Sequence, residues 1–280
     1  MKRKSLKIVC SILVLGIVSS AFVGCGKDSK AEENGKAVRI AISGSTSVGP
    51  LMEKIAEDYE SKNSGITIEI NQVGSSAGIK DAINKVSEIG MSSRELKTEE
   101  KSQINGTPIA YDGIALITNK NNIIENITID QIKGIYTGKI TNWKEIEGEK
   151  DAPIVVVSRE EGSGTRDAFQ EIIGYKSEEL NKDTMISNGN GGVKESVIGN
   201  ENAIGFVSFE YLDDAVNVAN IEGAAPNAEA VKTGNYKISR PFLVVTKEDN
   251  LSENGQNLIN FILSKEGQKI VENNKLITIK

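Results

Sequence analysis

Three short loops rich in glycine, serine and threonine are the parts of this sequence best suited to bind a ligand. They are Gly44-Ser45-Thr46-Ser47, Gly74-Ser75-Ser76-Ala77-Gly78 and Gly162-Ser163-Gly164-Thr165, which we call loops 1, 2 and 3. Each follows a predicted strand and precedes a predicted helix. A helix start offers free N–H groups and the positive end of the dipole, and glycine permits close backbone approach. The loops therefore predict an anion site, although helix caps and plain turns would produce the same composition.

Two further stretches have a related composition. Ser92-Ser93 follows the apolar stretch 89–91, and we expect it to start the next helix. The stretch 188–192 (NGNGG) is a possible fifth loop, although its glycines are equally consistent with a turn. Neither stretch by itself distinguishes a binding role from a structural one.

Loop 2 also matches the G-x-S-x-G pattern, which in hydrolases places a nucleophilic serine between a strand and a helix. That serine needs a base, and the sequence contains no histidine. Lys80 is the one nearby alternative base, and we expect it to face solvent from the first turn of a helix. We therefore predict that the protein is not an enzyme, and keep a Ser-dependent hydrolase acting through Ser76 as the alternative.

Composition excludes several other classes of site. The sequence has no histidine and only two cysteines, Cys10 and Cys25. This composition excludes metal sites that use histidine, zinc sites built from thiolates, and a fold stapled by disulfides. Loop 3 lacks the third glycine of a dinucleotide fingerprint, and no Walker A motif is present, so we predict no metal and no cofactor. The net charge is −6, and −10 without the first 24 residues. Such an acidic chain predicts no nucleic-acid binding.

The elements that must position these loops alternate between strand and helix. Apolar or alternating stretches predict strands at 38–42, 66–70, 89–91, 108–118, 154–157, 203–207 and 242–246. Helical periodicity lies at 51–59, 79–86, 94–103, 129–136, 166–173, 193–198 and 254–273. This alternation predicts an α/β fold whose parallel sheets carry helices on both faces. We expect a turn at 143–146 and a long surface loop or partial strand at 219–237.

The N-terminus has the features of an export signal. A basic start is followed by an apolar run from Ile8 to Val23, which is short for a membrane-spanning helix. The run ends in Gly24-Cys25, similar to a bacterial lipobox, where cleavage precedes a lipidated cysteine. We predict a lipoprotein signal peptide at 1–24, lipidation of Cys25 and a tether at 25–37. An ordinary signal peptide with a chance cysteine is the alternative.

Taken together, the loops and their neighbours resemble the PstS family of phosphate-binding proteins of ABC importers. The resemblance lies in SGSTSVGPLMEKIAEDY, VGSSAGIKDAINKVSEIGMSSREL, IAYDGIALITN, SREEGSGTRDAF, NGGVKESVIGNENAIGFVSF and YKISRPFLVV, in the family's order. It implies a two-lobe periplasmic-binding-protein fold of type II, each lobe a mixed, mainly parallel sheet flanked by helices. Lobe 1 is then 38–112 plus 238–280 and lobe 2 is 113–237, with crossings near 111–115 and 237–241.

The resemblance also implies which residues bind the anion. They are Ser45, Thr46, Ser47, Ser75, Ser93, Arg159, Ser163, Gly164 and Thr165. Glu161 is expected to support Arg159 as its acidic partner. Ser93 stands where well-known members carry an aspartate that accepts a proton from phosphate, so we take Asp112 as the nearest other candidate acceptor.

The function implied by the family is capture of inorganic phosphate and its delivery to ABC-transporter permease subunits. We expect a monomer held by a lipid anchor at the extracytoplasmic face of the cell membrane. The alternative ligands are other tetrahedral oxyanions, namely sulfate or a phosphonate. A sensor or adhesion lipoprotein that kept the fold without transport remains a third interpretation.

Overall fold

The computed structural model describes residues 38–147 and 150–279. The strands are β1 (Val38–Gly44), β2 (Ile66–Gln72), β3 (Ile89–Ser92), β4 (Asn105–Asn119), β5 (Asn126–Ile127), β6 (Val155–Arg159), β7 (Met185–Ser187), β8 (Ala203–Ser208), β9 (Val216–Val218), β10 (Asn220–Ile221) and β11 (Ser239–Thr246). The helices are α1 (Gly49–Lys62), α2 (Ser75–Ile83), α3 (Thr98–Lys101), α4 (Ile129–Tyr136), α5 (Lys144–Glu147), α6 (Gly164–Ile173), α7 (Gly189–Ile198), α8 (Ala228–Lys232), α9 (Glu253–Leu263) and α10 (Lys265–Asn273). The predicted signal peptide, tether and lipidated Cys25 lie outside the described residues.

One long mixed sheet runs through the described residues. Its strand order is β2-β1-β3-β11-β4-β8-β6-β7, with β9 also pairing to β4. The mixed α/β class is therefore confirmed. Within this long sheet, however, four strand pairs are parallel (β1–β2, β1–β3, β6–β7, β6–β8) and four are antiparallel (β3–β11, β4–β11, β4–β8, β4–β9), while β5 and β10 form a separate parallel pair. The long sheet is not mainly parallel because β4 and β11 run antiparallel to every strand with which they pair.

The buried hydrophobic side chains form separate clusters on either side of these crossing strands. One set comes from residues 40–110 and 242–276. The other comes from residues 114–238 and includes the stacked rings of Phe169 and Phe206, whose centroids are 4.0 Å apart. Ile238 packs in the second set, one residue beyond the predicted end of lobe 2. We propose from this division that the two lobes have essentially the bounds predicted above.

The predicted helix at 94–103 is mostly wrong, since only α3 is helical there. The Ser92 hydroxyl donates to the carbonyl of Arg94 at 2.9 Å and accepts from its N–H at 3.3 Å, which bends the chain after β3. Lys97 is still extended, and its N–H donates to the Glu100 carboxylate at 2.8 Å. The capped helix therefore begins four residues later than its charge pattern suggests, and Ser92-Ser93 does not start it.

Other boundaries also differ from the predictions. The closing helix is broken at Ser264, whose extended backbone ends α9 and whose hydroxyl accepts from the N–H of Gly267 at 3.2 Å to cap α10. The expected turn at 143–146 is the short α5, and the stretch 219–237 contains β10 and α8. Within the described residues, no helix is long and apolar enough to cross a membrane.

Candidate functional site

Loop 1 connects β1 to α1 and presents two hydroxyls to lobe 2. The hydroxyl of Ser45 accepts from the N–H of Ser47 at 3.1 Å, so the Ser45 side chain is engaged within the loop. Thr46 Oγ1 accepts from Arg159 Nη2 at 3.0 Å. Ser47 Oγ lies 2.8 Å from Thr165 Oγ1, in hydrogen-bond contact. Thr46 and Ser47 thus meet the predicted residues of the other lobe.

Loop 2 brings Ser75 and Ser93 together. Gly74 precedes α2 with a φ of 93°, a left-handed conformation that glycine adopts without strain. Ser75 is fully buried, and its hydroxyl accepts from the N–H of Ser93 at 3.1 Å. The two hydroxyl oxygens are 3.3 Å apart. Two residues separated by 18 positions therefore present neighbouring hydroxyls on the lobe 1 side.

Loop 3 is the start of α6. Ser163 is its N-cap, and the hydroxyl accepts from the backbone N–H three residues later at 3.3 Å. The N–H groups of Gly164 and Thr165 lie in the first turn, where no intrahelical acceptor exists, so they suit an anion. A Cβ on Gly164 would lie 2.2 Å from Ser75 Oγ and 2.7 Å from Ser93 Oγ. Glycine is therefore what lets loop 3 approach loop 2 so closely.

Arg159 supplies a buried positive charge beside these loops. Its side chain is 1% exposed, and its Nε and Nη2 donate to the two carboxylate oxygens of Glu160, each at 2.8 Å. This paired geometry fixes the guanidinium plane and partly neutralises its charge. Its Nη1 is buried and has no hydrogen-bond partner among the described residues. This nitrogen of Arg159 is thus held in place with no acceptor in the part of the chain that the structure describes.

The acidic partner of Arg159 is Glu160, and the expectation that it would be Glu161 is wrong. Glu161 is exposed in a turn that continues through Gly162, whose φ is 83°. Glu160 also accepts from the N–H of Gly189 at 3.1 Å, at the start of α7. Burial opposes its ionisation, but the hydrogen bonds and charge of Arg159 lower the pKa of Glu160. Glu160 therefore stays ionised and holds the guanidinium.

Asp112 lies on β4 and pairs with Arg240, its register partner on β11. Its Oδ2 accepts from Arg240 Nη2 at 2.9 Å, and its Oδ1 accepts from the N–H of Phe209 at 3.3 Å. Burial raises the pKa of Asp112, and the charge and hydrogen bond of Arg240 oppose this rise. Because both oxygens already accept bonds, we assign Asp112 to holding Arg240 in the crossing strands rather than to bonding an anion.

Glu210 is a further, half-buried acid near this ion pair. Its Oε2 is buried and has no hydrogen-bond partner among the described residues, and the same holds for Nε and Nη1 of Arg240. Burial, together with the negative charge of Asp112, raises the pKa of Glu210 to about 9, while Arg240 opposes the rise. We therefore expect Glu210 to be protonated at neutral pH.

Sequence reasoning missed two residues that join the lobes at this site. Asn190 is 1% exposed, and its Nδ2 donates to Ser47 Oγ at 2.9 Å. The hydroxyl of Tyr211 donates to the carbonyl of Thr46 at 3.2 Å. The glycine-rich stretch 188–192 was a signal for Asn190, since α7 begins there, but no local pattern marks Tyr211.

The hydrolase alternative has no support in the surroundings of Ser76. Its hydroxyl accepts from Arg94 Nη2 at 3.2 Å, and a guanidinium does not accept a proton. Lys80 is exposed, as expected from its position on the helix. The part of the chain that the structure describes holds no group of three or more histidine, cysteine or acidic side chains placed to bind a metal ion.

The arrangement as a whole suits a small anion. Hydroxyls of loops 1 and 2, the first turn of α6 and the guanidinium of Arg159 lie close together, and nearly all of these residues are buried. Fixed dipoles stabilise a negative charge far better in such a site than in water. Four of the expected ligands, Thr46, Ser47, Thr165 and Arg159, are joined by direct contacts. Ser75, Ser93 and Gly164 are packed together beside them. Ser163 is the N-cap of α6, the helix that begins at Gly164.

Comparison with known proteins agrees with this architecture. The PBP superfamily domain matches residues 29–266. Phosphate-binding protein PstS of Bacillus subtilis is 31% identical over 250 residues, which cover 85% of this chain and 82% of that protein. The crystal structure of a phosphate ABC transporter substrate-binding protein with bound phosphate from Clostridium perfringens is 59% identical, with a TM-score of 0.85, and covers 86% of this chain and 100% of its own. An ABC-type phosphate transport receptor from Vibrio cholerae is 34% identical, with a TM-score of 0.73 and coverage of 86% and 99%. The chain therefore belongs to the PstS family of phosphate-binding proteins, within the PBP superfamily.

Proposed function

We propose that this protein captures inorganic phosphate between its two lobes and delivers it to the permease subunits of an ABC importer. The observation that carries the proposal is the buried Nη1 of Arg159, which has no acceptor among the described residues and belongs to a guanidinium that bonds Thr46 of loop 1 through Nη2. The PstS relatives bind phosphate by name, and the Clostridium perfringens structure contains it. The ligands are then Thr46, Ser47, Ser75, Ser93, Arg159, Ser163, Gly164 and Thr165, with Ser45 shaping loop 1.

The choice among tetrahedral anions depends on a hydrogen-bond acceptor. Phosphate carries at least one proton at neutral pH and sulfate carries none, so an acceptor aimed at that proton favours phosphate. Ser93 is neutral and rotates to donate instead, so it rejects sulfate less strongly than a buried carboxylate does. We therefore propose phosphate on the strength of the family and keep sulfate and phosphonates as the alternatives to be measured.

The remaining features of the proposal concern the protein's place in the cell. Cleavage before Cys25 and its acylation would anchor the chain at the extracytoplasmic face, with 25–37 as a tether. Burial of acyl CH₂ groups at about 0.8 kcal/mol each provides the membrane affinity. We propose a monomer that binds and releases its ligand without chemistry. Mass spectrometry of the membrane fraction should find diacylglyceryl-Cys25, and a soluble product with a free thiol would contradict the anchor.

Calorimetric titration of the full chain in detergent tests the ligand. We expect phosphate to bind more tightly than sulfate or methylphosphonate. Thr165→Val removes one hydroxyl without changing the shape, and each hydrogen bond to a charged ligand contributes about 1.5–3 kcal/mol, so phosphate should bind at least tenfold more weakly. Thr233→Val, at an exposed threonine on the end of α8, is the matched control. Equal binding of sulfate by the parent would make this a general oxyanion receptor.

Delivery to a permease needs a separate experiment, because binding alone does not distinguish a transporter component from a sensor. Deletion of the coding sequence should lower phosphate uptake, and the parent chain should restore it. A Thr165→Val chain should restore uptake only at higher phosphate. Normal uptake in the deletion strain would favour the sensor or adhesion alternative.

A further inference from the structure

Arg94 connects the two lobes at a point that the proposed phosphate ligands do not occupy. It follows Ser93 in the chain, and its side chain is only 4% exposed. It hydrogen-bonds Ser76 in α2 and Glu100 in α3, and it forms an ion pair with Asp167 in α6. The first two lie in lobe 1 and the third in lobe 2, so Arg94 forms an ion pair between the lobes.

Contacts within lobe 1 fix the orientation of this guanidinium. Nη1 and Nη2 donate to the two carboxylate oxygens of Glu100 at 2.8 and 2.9 Å. Nη2 also donates to Ser76 Oγ at 3.2 Å, in the first turn of α2. Such paired bonds pre-organise a guanidinium, so little further ordering is needed when a third partner arrives. The Arg94 side chain is thus held ready before lobe 2 approaches.

The partner in lobe 2 lies on the helix that begins with loop 3. Arg94 Nε and Asp167 Oδ2 are 3.0 Å apart, and Asp167 follows Thr165 by two residues on α6. Burial disfavours the charge of Arg94, but its hydrogen bonds and the charges of Glu100 and Asp167 raise the pKa of Arg94. Arg94 therefore keeps its positive charge across the physiological pH range. It draws the start of α6 toward Ser75 and Ser93.

We propose that Arg94 is a positioning residue for phosphate capture, whose ion pair with Asp167 stabilises the closed lobes and so sets the affinity without touching the anion. This inference rests on the proposed function. Direct backbone contact supports it, since the N–H of Ser76 donates to the carbonyl of Gly162 at 3.1 Å beside the ion pair. The two lobes thus contact each other directly through protein groups, without a ligand between them.

The consequence follows from the linkage between closure and binding. The apparent affinity of a ligand scales with the stability of the state that binds it, so weaker closure lowers affinity by the same factor. The groups that contact the anion are unchanged, so the ratio of phosphate to sulfate affinity should not move. The loss should appear in the dissociation rate rather than the association rate, as for most changes in affinity.

Asp167→Asn removes the charge of the inter-lobe ion pair while keeping the size of the side chain. Glu171→Gln is the matched control, because it removes one negative charge at an exposed position one turn further along α6. Asp167→Glu, which keeps the charge, serves as the conservative variant. All variants are measured as full chains in the same buffer. The measurements are the dissociation constants of phosphate and sulfate, the dissociation rate of phosphate, and the radius of gyration at saturating phosphate.

We expect Asp167→Asn to bind phosphate about 5- to 30-fold more weakly than Glu171→Gln, a range typical of coupling between sites. Its dissociation rate should rise by a similar factor, the phosphate to sulfate ratio should stay within twofold, and Asp167→Glu should regain part of the affinity. Equal phosphate affinity in the Asn variant and the control overturns the inference. A parent chain that binds no phosphate overturns instead the function on which it rests.

Discussion

Gly164→Ala tests whether close approach of the two lobes is required for binding. The added carbon would lie 2.2 Å from Ser75 Oγ, whereas ordinary contact begins at 3.4 Å, so loops 2 and 3 must separate by about 1.2 Å. The same shift would stretch the 2.8 Å contact between Ser47 and Thr165 beyond hydrogen-bond distance. An anion then loses bonds to one lobe.

The size of the effect follows from those bonds. The loss of two hydrogen bonds to a charged ligand costs about 3–6 kcal/mol, which corresponds to roughly a hundredfold to ten-thousandfold weaker binding. The folded chain should not be destabilised, because Gly164 opens α6 in lobe 2 and its clash lies across the cleft, while alanine favours helix.

Titration calorimetry and thermal unfolding measure the two effects separately. Gly191→Ala is the control, since this glycine lies in the first turn of α7 and an added Cβ would meet no atom within 4 Å. The control should bind phosphate like the parent. If Gly164→Ala binds phosphate within threefold of the parent and melts at the same temperature, the lobes do not need the contact that the structure shows, and the reasoning is refuted.

Three further predictions concern single side chains. Arg159→Lys should weaken phosphate binding by tenfold or more, because an ammonium cannot bond Glu160 in two places and still present a third donor; calorimetry that finds parent affinity would contradict this. Ser93→Asp should sharpen discrimination, raising the ratio of sulfate to phosphate dissociation constants measured in parallel titrations, and an unchanged ratio would place the acceptor elsewhere. The pKa of Glu210 is raised from 4.5 to about 9 in the folded state. Between pH 4.5 and pH 9 the folded chain therefore binds more protons than the unfolded chain. Its free energy of unfolding thus falls as the pH rises through that window. Glu210→Gln mimics the protonated acid, so its melting temperature should decline less between pH 5 and pH 9; equal slopes for parent and variant would show that Glu210 is not the titrating group.

The sequence was sufficient to predict the loops and most of the elements around them. Hydrophobic periodicity marks strands such as β1 and β8 because burial on the sheet demands it, and glycine with serine marks the helix starts. The helix expected at 94–103 failed because the Ser92 side chain bonds both the carbonyl and the N–H of Arg94 and so competes with helix formation there. Charge pattern carries no information about such local bonds.

The paired charges were harder to predict because partners in space are not marked by sequence spacing. Glu160 and Glu161 are adjacent, and only the turn at Gly162 decides that Glu160 faces Arg159. Asp112 and Arg240 meet because β4 and β11 pair in one particular register, over 128 positions of chain. Neither of these pairings follows from the composition of the segments involved.

The most direct measurement is a crystal structure of the protein with phosphate, in which every proposed donor is seen at once. We predict a phosphate between the lobes, with oxygens about 2.7–3.2 Å from Arg159 Nη1, the N–H of Thr165 and the hydroxyl of Ser75. Glu160 should keep its paired bonds to Arg159. A phosphate bound elsewhere, with Nη1 of Arg159 still lacking a partner, would contradict the account.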